Sequence, residues 1–177
     1  MGSNERLIQD ILILRCQTGD AGALAQLIRQ YEKPLRYFIT RLIGDSQTAE
    51  DLFQETWLSV LRRLSTLKKA ESFGAWLYHI ARNKVYHHLR ITKRLTEFKE
   101  SLPVPEDAVE PTFTASDAAA IHTGLGRLEP QHKEVLMLRF LEQMPYQDMA
   151  EVIGCNIGTV RSRLHYAKQA LRQLLEK

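Results

Sequence analysis

Three observations predict an all-α chain of two small helical domains joined by a flexible acidic linker. Apolar residues recur at spacings of three and four through most of the 177 residues, which is the period of an amphipathic helix and not of a strand. Pro103, Pro105 and Pro111 stand together among acidic and small polar residues, a composition that suits a linker. Charge is segregated: residues 1–90 hold 13 basic and 9 acidic side chains, 91–125 hold 3 and 6, and 126–177 hold 8 and 6, so the balance runs +4, −3, +2. Two basic ends around an acidic middle place the domains at 1–92 and 123–177, with 93–122 between them.

The first helix is marked over residues 4–17 by Leu7, Ile8, Ile11 and Leu14. The TGDAGA stretch breaks it, and Asp20 is placed to cap a second helix that runs to about Ile43 with Pro34 interrupting or kinking it. The residues GDSQ at 44–47 make the next break. A third helix follows over about 47–64, with Ala49, Phe53, Thr56, Trp57, Val60 and Leu64 on its core face. Its opposite face presents Asp51, Gln54, Glu55 and Leu58, with Arg62 below. A leucine centred in an acidic face suits a protein contact, since charge sets orientation and an apolar anchor supplies affinity. A single exposed leucine is also ordinary on any surface.

After the STLKKAES loop, a fourth helix over about 72–90 changes sign. Between residues 65 and 94 there are seven basic side chains, Lys68 and Lys69 among them, against the single acid Glu71. Phe73, Leu77, Ile80 and Ala81 form the inward face, while His79, Arg82, Asn83, Tyr86 and Arg90 cluster on another side with Trp76 at its edge. Basic groups track phosphates, and aromatic rings stack on unpaired bases at about 1–3 kcal/mol per base. This face suits single-stranded nucleic acid better than a second duplex reader, although Trp76 taken alone fits core packing better than base contact.

Beyond the prolines, Pro130 suits the first turn of a helix reaching about Glu142, and Pro145 opens another. In that helix Met149, Ala150 and Ile153 pack, Gly154 takes a left-handed C-cap, and Asn156 N-caps the last helix. On the last helix Val160, Leu164, Ala167 and Leu171 fall on one stripe, extended by Leu174 and Leu175. Arg161, His165, Lys168 and Arg172 repeat that spacing one position later. Helix, short turn and basic helix make the helix-turn-helix pattern, whose second helix enters the DNA major groove.

Composition excludes other classes. Net charge is only +3 and the apolar fraction 44%, so any nucleic-acid signal is local. Cys16 and Cys155 are far apart and lack short-spaced metal partners; a reducing cytoplasm is the expected setting and no metal is expected. No apolar run approaches the length that spans a bilayer, and no signal-peptide core precedes the first helix. Phosphate-binding glycine loops, metal-ligand clusters and nucleophile motifs are absent. The sequence therefore predicts no catalytic residue, no cofactor and no enzyme.

The residues AEDLFQETW at 49–57, FGAWLYHIARN at 73–83 and YQDMAEVIGCNIGTVRSRLHYAKQAL at 146–171 together resemble the extracytoplasmic-function sigma factors of bacterial RNA polymerase. The resemblance covers roughly 10–90 and 120–175 in the family's order. It implies a region 2 bundle and a region 4 helix-turn-helix, and an alternative sigma factor that directs core polymerase to −10 and −35 promoter elements. Region 2 in the family binds the clamp helices of the largest polymerase subunit, and region 4 binds the flap of the second-largest. By motif, Asp51, Gln54, Glu55 and Leu58 match the clamp contact. Lys68, Lys69, Trp76, Tyr78, His79, Arg82, Asn83, Tyr86 and Arg90 match the segment that captures the melted −10 strand. Gly158, Thr159, Arg161, Ser162, Arg163, His165, Lys168 and Arg172 match the −35 duplex reader. The resemblance also implies an anti-sigma factor as a partner. Two positions depart from it: many members carry Arg in place of His79 and an acid in place of His87, and a protonatable histidine there predicts pH-sensitive promoter binding. A free-standing helix-turn-helix regulator with a helical sensor domain is the competing expectation. It accounts for 126–177 but not for an acidic face followed by a basic aromatic one.

Overall fold

The structure, a computed structural model, describes residues 3–91 and 124–175. Among these residues there are seven α-helices and no strand. Contacts divide the chain into two compact units, Met1–Thr92 and Lys93–Lys177. The sequence reading of 93–122 as a linker lies outside the described residues.

In the first unit, helices α1 (Ser3–Gln17), α2 (Ala21–Ile43), α3 (Ser46–Arg63) and α4 (Phe73–Ile91) are joined by short turns. Asp20 sets the first boundary. Its Oδ1 accepts from Ala23 N at 2.9 Å, and its Oδ2 takes both Nε and Nη2 of Arg15 at 3.0 and 2.7 Å. These bonds favour the ionised form and hold the carboxyl below its ordinary range. The next boundary is glycine's. Gly44 adopts φ 81° and donates to Thr40 O at 2.8 Å, after which Asp45 caps α3 by accepting from Thr48 N at 2.8 Å. Pro34 lies inside α2 without ending it. It removes one backbone donor, and buried Leu35, Phe38 and Ile39 just beyond it hold the rest of the helix against the core.

Helix α2 packs against α1, α3 and α4, and α3 packs against α4. Every residue expected on the core faces of α3 and α4 is buried, and Leu52, Val85 and Leu89 join them. Arg36 ties α2 to α3 by ion-pairing with Glu50 and lying 4.2 Å from the centre of the Phe53 ring, and it also pairs with Glu32 one turn back on its own helix. Gln17 Nε2 reaches from α1 to the carbonyls of Leu64 and Leu67 at 2.9 Å. Through it α1 fixes the loop of two 3₁₀ turns, Leu64–Thr66 and Ala70–Ser72, that leads into α4. Helix α1 forms as expected, but Leu12 and Ile13 are its buried residues. Leu7, Ile8, Ile11 and Leu14, which mark it in the sequence, lie on the exposed side.

In the second unit, α5 (Pro130–Leu136) carries Pro130 in its first turn and continues as a π-helical turn, Met137–Leu141. Helices α6 (Tyr146–Ile153) and α7 (Ile157–Leu175) follow. Helix α7 packs against α5 and α6. Its stripe Val160, Leu164, Ala167 and Leu171 is buried, as are Val135 of α5 and Met149 and Val152 of α6. Gly154 at φ 74° donates to Ala150 O at 2.9 Å, and Asn156 Oδ1 accepts from Thr159 N at 2.7 Å. The turn between α6 and α7 is therefore closed by the two residues expected to close it.

Candidate nucleic-acid and polymerase interface

On α3, Asp51, Gln54, Glu55 and Leu58 are exposed together, at i, i+3, i+4 and i+7 of one face. Leu61, which the sequence reading passed over, extends the ridge: Leu58 is 50% and Leu61 44% exposed. Its signal was available, since it lies three residues beyond Leu58 and seven beyond Gln54. Gln54 Nε2 donates to Glu50 Oε1 at 3.2 Å. Glu55 Oε2 pairs with Lys84 Nζ of α4 at 3.2 Å, with the glutamate's side chain 58% exposed. An ion pair that open to water is worth at most about 1 kcal/mol, so Glu55 can leave Lys84 for another partner at low cost.

Helices α3 and α4 border a groove of about 1150 Å³. Ser59 and Arg63 line it from α3, and Trp76, His79, Asn83 and Tyr86 from α4. His79 Nε2 and Asn83 Nδ2 lie 2.9 Å apart, one turn apart on α4. The Arg82 guanidinium sits 4.5 Å from the centre of the Tyr86 ring. Trp76 is half-buried, its ring tilted against Phe73 at 6.0 Å. Arg90 is exposed at the end of α4, and Lys68 and Lys69 are exposed between the two 3₁₀ turns. One wall is thus cationic and aromatic with a side-chain amide at its middle. That set can hold phosphates, stack a base and hydrogen-bond its edge.

Tyr78 does not belong to this wall. It is fully buried and meets the Phe38 ring edge-on at 5.1 Å. The reason is periodic: Tyr78 precedes Ala81 by three and Val85 by seven, both on the core stripe of α4. Matching it to the −10 strand is corrected on that ground.

In the second unit, Gly158 and Arg161 are exposed at the start of α7, and Thr159, Ser162, Arg163 and His165 are partly so. Arg172 is exposed two turns further on. A Cβ on Gly158 would stand 3.2 Å from the capping Asn156 Oδ1. Gln169 Nε2 lies 3.1 Å from His165 Nε2. Lys168 is the second correction: only 6% exposed, with Nζ 5.5 Å from the centre of the Phe140 ring. It lies one turn after Leu164, at the margin of the buried stripe, and its carbon stem covers the core instead of reaching outward.

No helix among the described residues is long and apolar enough to cross a membrane, and no group of His, Cys, Asp and Glu there could hold a metal ion. Cys16 and Cys155 are not joined in a disulfide.

Comparison with known proteins gives two family matches. Residues 27–95 match Sigma-70 region 2, and residues 118–171 match Sigma-70, region 4. The chain is 35% identical over 173 residues to the ECF RNA polymerase sigma factor BldN of Streptomyces coelicolor, covering 93% of this chain and 64% of that protein. It thus spans a little under two thirds of that relative's length. It is 30% identical over 178 residues to the RNA polymerase sigma-H factor of Pseudomonas aeruginosa, covering 93% of this chain and 92% of the relative. Among solved structures, the sigma factor RpoE of Bartonella quintana, in complex with the anti-sigma factor NepR, superposes with a TM-score of 0.67. That match has 25% identity and covers 86% of this chain and 96% of the other.

Proposed function

Because the chain belongs to the extracytoplasmic-function sigma factors of bacterial RNA polymerase, we propose that it joins core polymerase in the cytoplasm and directs it to promoters through −10 and −35 elements. The observation that carries this reading is the pairing of two unlike faces in one unit. An acidic face with two leucines on α3 stands beside a cationic aromatic groove wall on α4. A helix-turn-helix alone would need neither.

In this reading the domains run 1–92 and 123–177. Asp51, Gln54 and Glu55 orient the chain on the clamp helices of the largest subunit, and Leu58 with Leu61 supplies the apolar anchor. Lys68, Lys69, Arg82 and Arg90 hold the phosphates of the melted −10 strand. Trp76 and Tyr86 offer rings for stacking, and His79 with Asn83 meets a base edge. The second unit binds the flap of the second-largest subunit and lays the first turns of α7 in the −35 major groove. There Gly158 and Thr159 bring backbone close to the duplex, Arg161 reads a base, and Ser162, Arg163, His165 and Arg172 contact phosphates or base edges. The chain supplies recognition and strand separation, and nucleotide addition belongs to the polymerase. The B. quintana sigma factor is in complex with an anti-sigma factor, and a protein antagonist of that class is the natural regulator of this chain.

Binding to core polymerase tests the reading, with Asp51→Ala/Gln54→Ala alongside. Tight binding by the wild type that the double variant loses supports it. A wild type that ignores a competent core yet binds duplex DNA tightly by itself overturns it in favour of a free-standing regulator.

A further inference from the structure

Tyr146 opens α6, and two guanidinium groups gather over its ring. The Cζ of Arg139 stands 5.0 Å from the ring centre and that of Arg161 stands 5.7 Å from it. The two arginines come from different places. Arg139 belongs to the π-helical turn before the helix-turn-helix, and its Nη1 donates to Met144 O at 3.2 Å. Arg161 belongs to the second turn of α7 and is exposed. One half-buried ring therefore links the turn before the motif, its first helix and its reading helix.

We propose that Tyr146 is a specificity-determining positioning residue, whose ring holds the Arg161 guanidinium in the orientation that reads a base pair of the −35 duplex. This rests on the −35 reading above. An exposed arginine populates many rotamers, and only those that present its planar fork to a guanine edge discriminate between base pairs. Guanidinium groups stack on aromatic faces, so the ring selects among those rotamers before DNA arrives. Arg139, pinned by the Met144 carbonyl, fixes the ring from the other element it touches. Without the ring, Arg161 keeps its charge and still finds phosphate. Affinity then persists while base discrimination falls, and that separation distinguishes positioning from mere packing.

The test uses holoenzyme reconstituted from the full chain and core polymerase, with a preferred −35 duplex and its single-base-pair variants. Tyr146→Leu is expected to lower discrimination at one base pair about five-fold or more, with the salt dependence of binding unchanged. Tyr146→Phe is expected to keep discrimination, and Tyr146→Leu should change nothing further once Arg161→Ala is present. Wild-type discrimination in the Tyr146→Leu holoenzyme, or an equal loss on every duplex, overturns the inference alone. A wild-type holoenzyme indifferent to −35 sequence overturns the −35 reading and this inference with it. Should Tyr146→Leu not fold, nuclear magnetic resonance of the wild-type chain decides. The Arg161 Hδ protons, assigned by their loss in Arg161→Lys, are expected upfield under the ring current, and unshifted protons overturn the proposal.

Discussion

Tyr78 and His79 are neighbours in sequence and belong to different environments. One closes the core of the first unit against Phe38, and the other faces the groove beside Asn83. Truncating a buried aromatic costs about 3–5 kcal/mol, so Tyr78→Ala should unfold the first unit or leave it marginal. Tyr78→Phe, which keeps the ring, should retain both fold and promoter opening. Denaturant unfolding followed by a strand-opening assay checks both, and a Tyr78→Phe protein that folds but cannot open DNA would return Tyr78 to the groove. Lys168 and Arg172 make a second such pair. Each phosphate contact contributes about 0.9 to the slope of log affinity against log salt. Exposed Arg172 is expected to contribute one such contact and buried Lys168 none. Arg172→Ala should therefore lower the slope by roughly one, while Lys168→Met leaves it unchanged. Equal slopes for the two variants would show that Lys168 swings out on binding.

At the scale of elements, the turn between α6 and α7 sets how the reading helix is presented, and it depends on two residues. Asn156→Ala removes the acceptor for Thr159 N and should cost about 1 kcal/mol. Gly154→Ala forces a Cβ into the left-handed conformation at φ 74° and should cost about 1–2 kcal/mol. Urea unfolding of both variants checks this, and a stability loss near zero for Asn156→Ala would mean that water replaces the cap. These boundaries were legible in the sequence because Gly and Asn state their backbone geometry locally. The core stripes of α3, α4 and α7 were legible for a related reason: each has one apolar and one polar face. Helix α1 was not, because both of its sides are apolar, and periodicity alone does not say that Leu12 and Ile13 go inward while Leu7, Ile8, Ile11 and Leu14 face out. Tyr78 and Lys168 misled for a shared reason. Each has a polar tip on an apolar body, and only packing decides which part governs. The exposed charges of the candidate site could be named from spacing, whereas the Glu55–Lys84 pair and the ring shared by Arg139 and Arg161 join residues that sequence leaves far apart.

At the scale of the molecule, three shifted groups among the described residues shape the dependence of stability on pH, and they set edges on both sides of neutrality. Burial lowers His132 from its ordinary value of 6.5, with Glu129 partly opposing it. Between its lowered folded value and 6.5 the unfolded chain binds more protons, so stability is complete above 6.5 and falls as pH drops below it. Burial, then Asp20, raises Cys16 above its ordinary value of 9.0, with Arg15 partly opposing them. Above 9.0 the unfolded thiol ionises first and the folded one keeps its proton, so stability is complete below 9.0 and falls as pH rises through the folded value. The lowered Asp20 acts only in acid, near and below its ordinary 3.8. The expected profile is a plateau from about 6.5 to 9.0, whose acid edge belongs to the second unit and whose alkaline edge belongs to the first. Urea midpoints measured from pH 5 to pH 10 would trace it, each variant compared with wild type at the same pH so that ordinary carboxylates, lysines and tyrosines cancel. His132→Gln should flatten the acid edge and leave the alkaline edge alone, and Cys16→Ser should do the reverse. An acid edge that survives His132→Gln would assign the proton uptake to another group and remove burial of this imidazole as its cause.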